Sequence, residues 1–431
     1  MAVLHPQQLA FLEAIRDRPD YDAPRLVYAD WLEEHGDPDR AAFIRVQCEA
    51  ERLDPNDPRR GPLEDRAAAL EQAHAPEWLG TLNESVDRSL ARGEKQSWRF
   101  RRGFLHRVRL RPRWPGFLRA AGDLLACEPI EELVLVASKQ PLERLLAEVA
   151  AAPLDCLRSL SWCYSAPLRP EGVELLASSP RLPRLTALAP YGPVPVETLR
   201  ALASPPLGGR LTSLQLEAGP GEGAEVLAVL TRAPGLPSLR SVDLRGCPPT
   251  DDGLRRLASC APLGRLSELS ICAVDDLTAR GMAHLVKSPL WGRLTRLALY
   301  HCPIDDAGAR TLIQALPRSA LRKLTLTNCR LTEATVSALV AAPSWGALED
   351  LYLSDPLGDA AVVALAGSPH LANLRALALP NCGLGVEGAR ALATSPYGER
   401  LLRLVVSELP LPRGARAVLT RRFGKRLWDG P

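Results

Sequence analysis

Residue types able to do chemistry gather at a few places in the 431-residue chain. Between Asp30 and Asp37 stand Asp30, Glu33, Glu34, His35 and Asp37, a set that could hold a metal. Helical spacing puts Asp30, Glu33 and Glu34 on one face. Acids on an exposed helix are ordinarily a solvated surface, and an ion pair of Asp30 with Arg25 or Arg40 would account for them. Gly383-Leu-Gly385-Val-Glu-Gly388 matches G-x-G-x-x-G, with Glu408 twenty residues past the last glycine, as in a dinucleotide-binding turn. The same loop recurs at Pro303–Gly308 and Pro249–Gly253 without the glycine pair, so the glycines read as loop variation. Gly424-Lys425 has neither the upstream glycine nor the following hydroxyl of a phosphate loop. G-x-S-x-G, H-E-x-x-H and C-x-x-C do not occur, and Tyr300-His301-Cys302 is the one suggestive histidine context. The expectation is a non-enzyme without cofactor or metal.

Charge offers a different chemistry. Net charge is only +3, yet Lys95 to Arg113 carries eight basic residues and no acidic one. Within the run Arg99–Arg113, the arginines alternate with Trp98, Phe100, Phe104 and Trp114, a composition that suits phosphates and stacked bases. Arg107, Arg109 and Arg111 alternate along the chain and would share one strand face. Three readings stay open: docking against the acidic residues 1–60 (8 basic, 13 acidic), an acidic protein partner, or nucleic acid.

These residues must be positioned by a repeat. The pattern L-x-x-L-x-L begins at Leu105, Ile130, Leu157, Leu185, Leu211, Leu239, Leu266, Leu294, Leu321, Leu348, Leu374 and Leu401, at intervals of 25 to 28 residues. A cysteine follows the last leucine by three positions at Cys247, Cys302, Cys329 and Cys382. In Leu294-Thr-Arg-Leu297-Ala-Leu299, Leu297 and Leu299 share a strand face. Helical spacing follows, with helices starting near Asp251, Thr278, Thr332, Asp359 and Glu387 and often closed by proline. The pattern resembles the leucine-rich repeat family, and its period and cysteines favour the ribonuclease-inhibitor-like class. The resemblance implies an α/β solenoid, a horseshoe with a concave parallel sheet and outer helices, over residues 105–409.

Residues 1–60 lack the repeat and predict three helices, Pro6–Arg16, Asp22–His35 and Pro38–Leu53. The string Pro24-Arg-Leu-Val-Tyr-Ala-Asp-Trp-Leu-Glu-Glu-His-Gly-Asp37, followed by Arg40-x-x-Phe43-Ile44-x-x-Gln47, is similar to the bacterial repeat-companion domain. The likeness continues through Trp78-Leu79, Arg102-Gly103-Phe104 and Arg422-Phe423-Gly424. That resemblance implies a small all-α module beside a repeat array and assigns no activity. Residues 61–104, with a helix over Leu63–His74, are expected to form a linker and N-terminal cap, and residues 410–431 a C-terminal cap.

With the repeat leucines inside, the intervening residues point out of the concave sheet. Two polar clusters follow on adjacent repeats: Glu217, Asp243, Arg245 and Glu268, then Arg296, Tyr300, Lys323, Asp350 and Tyr352. Tyrosine and arginine are enriched at interface hot spots, so Tyr300 and Tyr352 are expected to be exposed. The residue pattern predicts a scaffold for an unidentified protein or peptide, with nucleic acid at Arg107, Arg109 and Arg111 as the alternative; the resemblance to the ribonuclease-inhibitor-like class implies an inhibitor or regulator. No stretch approaches the roughly 18 apolar residues of a membrane helix, and the N-terminus lacks the basic and apolar regions of a signal peptide. The ten cysteines then read as buried thiols of a cytoplasmic protein, and the companion-domain resemblance implies a bacterial one.

Overall fold

A computed structural model describes the chain apart from residues 1–4, 55–56, 58, 87–96, 113, 137–139, 164–166, 220–221, 233–235, 247–249, 273–275, 407–410 and 429–431. It divides into two compact units, Met1–Leu211 and Thr212–Pro431. Cys247 of the repeat, Arg113 of the basic run and Glu408, which follows the glycine string, lie outside the described residues.

The first unit opens with four helices, α1 (Pro6–Asp17), α2 (Ala23–Glu34), α3 (Pro38–Arg52) and α4 (Arg60–Trp78). Three carry proline in the first turn, where its missing N–H is no loss. Gly36 ends α2 with φ +92°, as the His35-Gly36 pair predicts. The expected helix Leu63–His74 is four residues longer at its C-terminal end than the pattern implied, running through Pro76 to Trp78. A proline in the last turn removes one hydrogen bond without ending the helix. Leu12, Ile15, Tyr28, Ala29, Leu32, Ala41, Ile44 and Cys48 form the core of this module, together with Phe104.

Phe104 belongs to the sheet. Strand β1 (Trp98–Arg101), within the stretch expected to be linker and cap, pairs antiparallel with β2 (Phe104–Leu110). Arg102 and Gly103, with φ of +52° and +83°, make the two-residue turn that such a hairpin favours. From β2 the sheet of the first unit runs parallel through β3 (Glu132–Val136), β4 (Ser159–Cys163) and β5 (Ala187–Tyr191).

The second unit repeats one theme: β6 (Ser213–Glu217), β7 (Ser241–Arg245), β8 (Glu268–Cys272), β9 (Arg296–Tyr300), β10 (Lys323–Thr327), β11 (Asp350–Ser354), β12 (Ala376–Ala378), β13 (Arg403–Val405) and β14 (Leu427–Trp428). Neighbours pair in parallel. Each repeat leucine is buried between sheet and helices, Leu294, Leu297 and Leu299 all at 0 % exposure. β14 adds a strand beyond the last sequence repeat, after the helix Arg413–Phe423.

The repeats are tied by two recurring contacts. Cys302, Cys329 and Cys382 are buried and donate their thiols to the preceding strand's carbonyls, Ile271, Leu299 and Leu353, at 3.7, 3.5 and 3.3 Å. Burial pushes Cys329 and Cys382 up to about 12, so they are structural thiols rather than nucleophiles. On the helical side, Asp251, Asp306 and Asp359 each accept from the N-terminus of the next repeat's helix.

Candidate functional site

All nine residues expected on the concave face lie in the second unit, on β6 to β11, at positions alternating with buried leucines. Glu217 is directly opposite Arg245, and Arg245 opposite Cys272. Asp243 and Arg245, two residues apart and therefore on one strand face, form an ion pair at 3.0 Å. Glu268 is not part of that group. It stands opposite Arg296 and pairs with it at 3.6 Å. Lys323 then stands opposite both Arg296 and Asp350, pairing with the latter at 3.7 Å. The two clusters expected from sequence are thus divided differently: Asp243–Arg245 with Glu217, and a charge row Glu268–Arg296–Lys323–Asp350.

Tyr300 sits opposite Cys272 and Thr327, and Tyr352 opposite Thr325 and Ala378. Both are half-buried rather than exposed, each flanked on both sides by a neighbouring strand. Burial raises the Tyr300 phenol above its ordinary range, with Asp243 adding to the effect. Around the tyrosines the middle row of the strands is small, with Ser270 and Ala298 on β8 and β9, Thr325 on β10 and Ala378 on β12, the last three buried. A polar rim over a small-residue floor suits side chains or backbone of another molecule lying across the strands.

The arginine run of the first unit is largely engaged already. β1 and β2 put Arg99 opposite Arg107. Arg101 donates to Glu51 at 2.7 and 2.9 Å, and Arg102 lies 3.2 Å from Asp22. Arg107 lies 3.7 Å from Glu132, whose carboxyl is held below its usual range by His106 and, less strongly, by Arg107 and Arg99. Arg107 and Arg109 are half-buried; Arg111 is exposed just beyond β2, its amide donating to Ser85. The acidic residues 1–60 therefore do meet part of this run.

Sequence reasoning missed the contact that joins the helices to the sheet. Arg40 is 7 % exposed, 3.0 Å from buried Glu128, and its guanidinium lies 4.7 to 5.9 Å from the rings of Trp78, Phe100, Phe104 and Phe43. Glu128 also accepts from the Leu105 amide. Burial raises its carboxyl above the ordinary range against the pull of Arg40. Gln47 accepts from the Gly103 amide at 2.8 Å. The string Arg40-x-x-Phe43-Ile44-x-x-Gln47 and the later Trp78 and Gly103-Phe104 are thus two sides of one interface, a pairing that their joint appearance as motif residues could have signalled.

The other chemistry dissolves into structure. Asp30 pairs with Arg45 at 2.7 Å rather than with Arg25 or Arg40 as expected, and Glu33 pairs with the same arginine at 2.7 Å. Among the described residues no group of three or more His, Cys, Asp and Glu could hold a metal. The amides of Gly385 and Gly388 donate to Asp359 at 2.8 and 2.9 Å. That loop binds an anion, but the anion is the chain's own carboxylate. No helix among the described residues is long and apolar enough to cross a membrane.

A family match and a curated relative agree with this architecture. Residues 370–393 match the family described as Leucine Rich repeat. The chain is 33% identical over 205 residues to the ribonuclease inhibitor of Sus scrofa, a match covering 45% of this chain and 44% of that protein, so it spans less than half the length of that relative. A solved structure of the yeast Rad7 and Elc1 complex aligns over 99% of this chain and 92% of the matched chain, with TM-score 0.46 and 15% identity. The strand–helix units, their buried leucines and the matched repeat make the fold one of the leucine-rich repeat type.

Proposed function

We propose that the protein is a non-catalytic recognition scaffold that binds another protein or peptide on the open strand face of its second unit, acting as an inhibitor or regulator of that partner. The observation that carries this reading is the row Glu268–Arg296–Lys323–Asp350 beside Tyr300 and Tyr352 over a small-residue floor. A preformed strand face loses little conformational entropy on binding. The likeness to ribonuclease inhibitor supports the same reading. Residues 105–409 are the repeat array in this proposal, 1–60 a companion module, 61–104 and 410–431 caps, and the setting a bacterial cytoplasm.

The test is a nuclease-treated capture from native lysate, comparing the intact chain with an Arg296→Glu, Lys323→Glu variant whose circular dichroism is unchanged. A protein retained by the intact chain and lost by the variant is the expected result. Equal retention, or none by either, overturns the reading. Nucleic-acid binding at Arg107, Arg109 and Arg111 is the weaker reading, since Glu132 already meets Arg107, and Glu51 and Asp22 meet the neighbouring Arg101 and Arg102. Omitting the nuclease tests it, and retained nucleic acid would show a steep salt dependence.

A further inference from the structure

We propose that the partner of the second unit's strand face is an acidic polypeptide segment, which crosses β9 to β13 with its carboxylates against the entry ends of those strands. This rests on the scaffold reading above and names the chemistry that the face would hold.

Charge along this part of the sheet is unbalanced. Backbone hydrogen bonds put the entry residues of successive strands side by side. The Arg322 and Lys323 amides donate to the Thr295 carbonyl, and those of Glu349 and Asp350 to Arg322. The amides of Arg375 and Ala376 donate to Glu349, and those of Leu402 and Arg403 to Arg375. Entry residues and outward strand positions of β9 to β13 together present the cations Arg296, Arg322, Lys323, Arg375 and Arg403. Among the described residues at those positions the acids are Glu349 and Asp350, which leaves three positive charges in excess. At β6 to β8 the balance reverses, with Glu217, Asp243 and Glu268 against Arg240 and Arg245.

The surplus lies toward β12 and β13. Glu268 and Asp350 reach Arg296 and Lys323 at 3.6 and 3.7 Å. Arg322 and Arg375 share the single carboxylate of Glu349, at 3.1 and 4.0 Å. Arg403 is exposed and meets no carboxylate among the described residues. Arg296, Arg322 and Arg375 are exposed as well. Ion pairs in such positions are weak, so a carboxylate from outside can enter at small cost.

Lys323 and Arg403 are three strand steps apart, about 14 Å at the usual strand spacing. An extended polypeptide covers that distance in about four residues, so two acidic side chains on one face of it can meet both ends. The residues between them pass Asp350, Tyr352 and Ala378, where neutral side chains suit the small floor. A nucleic acid is disfavoured there, because its phosphates at every step would also meet Glu349 and Asp350. Complementary charge of this kind selects a partner and speeds its encounter.

The experiment is fluorescence anisotropy of the full chain at low ionic strength with a labelled peptide of alternating glutamate and serine, long enough to cross β9 to β13. A lysine–serine peptide and a single-stranded oligothymidylate serve as controls. Saturable binding is expected, tighter for the glutamate peptide than for either control and weakening as salt is added. The double variant Arg375→Gln, Arg403→Gln should weaken it about threefold to tenfold, as for two exposed charge contacts. Arg240→Gln, at the acidic end, and Arg107→Gln, in the first unit, should leave it unchanged. The proposal is overturned by absence of saturable binding, by a control that binds as tightly, by undiminished binding in the double variant, or by equal loss in Arg240→Gln or Arg107→Gln. A protein captured from lysate yet held equally by the double variant would overturn it too, while leaving the scaffold reading intact.

Discussion

Single atoms decide several positions in this chain, and the glycines show it best. Gly103 sits at φ +83° with the place of a Cβ only 2.3 Å from Ile44 Cγ1 and 2.7 Å from Ile44 Cα. Both the left-handed backbone and the helix backbone opposite forbid a side chain. Gly61, inside α4, has no atom within 4 Å of that place and no positive φ. Gly103→Ala should therefore destabilise the first unit by about 2–4 kcal/mol through strain and overpacking. Gly61→Ala should be neutral or stabilise by up to about 1 kcal/mol through helix propensity. Urea midpoints of the two variants against the parent check this, and similar midpoints would refute the packing argument. Gly388 follows the Gly103 logic with a different neighbour, since a Cβ there would fall 2.3 Å from Asp359 Oδ1. Its place in a G-x-G-x-x-G string is thus explained by the carboxylate that its amide binds.

At the scale of elements, stacking depends on contacts that each repeat makes to the next one. Asp306, in the first turn of its own helix, accepts from the Thr332 amide at 2.9 Å, from the Thr332 hydroxyl at 2.6 Å and from the Thr335 hydroxyl of the following helix. It joins the two helices as an N-cap supplied from outside. Burial would raise its carboxyl, but these hydrogen bonds outweigh it and hold the pKa below the ordinary 3.8. A folded-state pKa below the unfolded one contributes stability that is present above the unfolded value and lost as pH falls through the folded one. Asp306→Ala should then lower stability at pH 7 by about 1–2 kcal/mol, the usual cost of losing a cap. The gap between variant and parent should close as pH falls below 3.8. Denaturant midpoints of both proteins at pH 7 and near pH 3 measure it, and a gap independent of pH would mean that the carboxylate charge plays no part.

For the molecule as a whole, what could be read in advance follows from what is local in sequence. The repeats are legible because the leucine period is written along the chain and each unit meets mainly its neighbours. The starts of the outer helices near Asp251, Thr278 and Thr332 were legible for the same reason, through the capping threonines Thr250, Thr278 and Thr332, and that at Asp359 through the acid in its first turn. Half-burial of Tyr300, the pairing of Glu268 with Arg296 and the hairpin ahead of β2 were not, since each depends on partners in other strands. Least legible was Arg40–Glu128, separated by 88 residues, on which the joining of helices to sheet rests. Both side chains are 8 % exposed, so each is a buried charge compensated chiefly by the other, with the surrounding rings, the Leu105 amide and Arg25 adding to it. Removing one partner of a buried pair costs about 3–5 kcal/mol because the other charge is stranded, whereas replacing both with apolar groups of similar volume is often neutral. Arg40→Met alone should lower the unfolding midpoint of the first unit sharply, as should Glu128→Leu. The double variant Arg40→Met, Glu128→Leu should recover most of the loss, since Trp78, Phe100 and Phe104 already provide an apolar surround. Additive losses in that cycle would instead place the stabilisation in the arginine's contact with the aromatic rings, independent of Glu128, and would make the cage rather than the ion pair the bond between module and repeats.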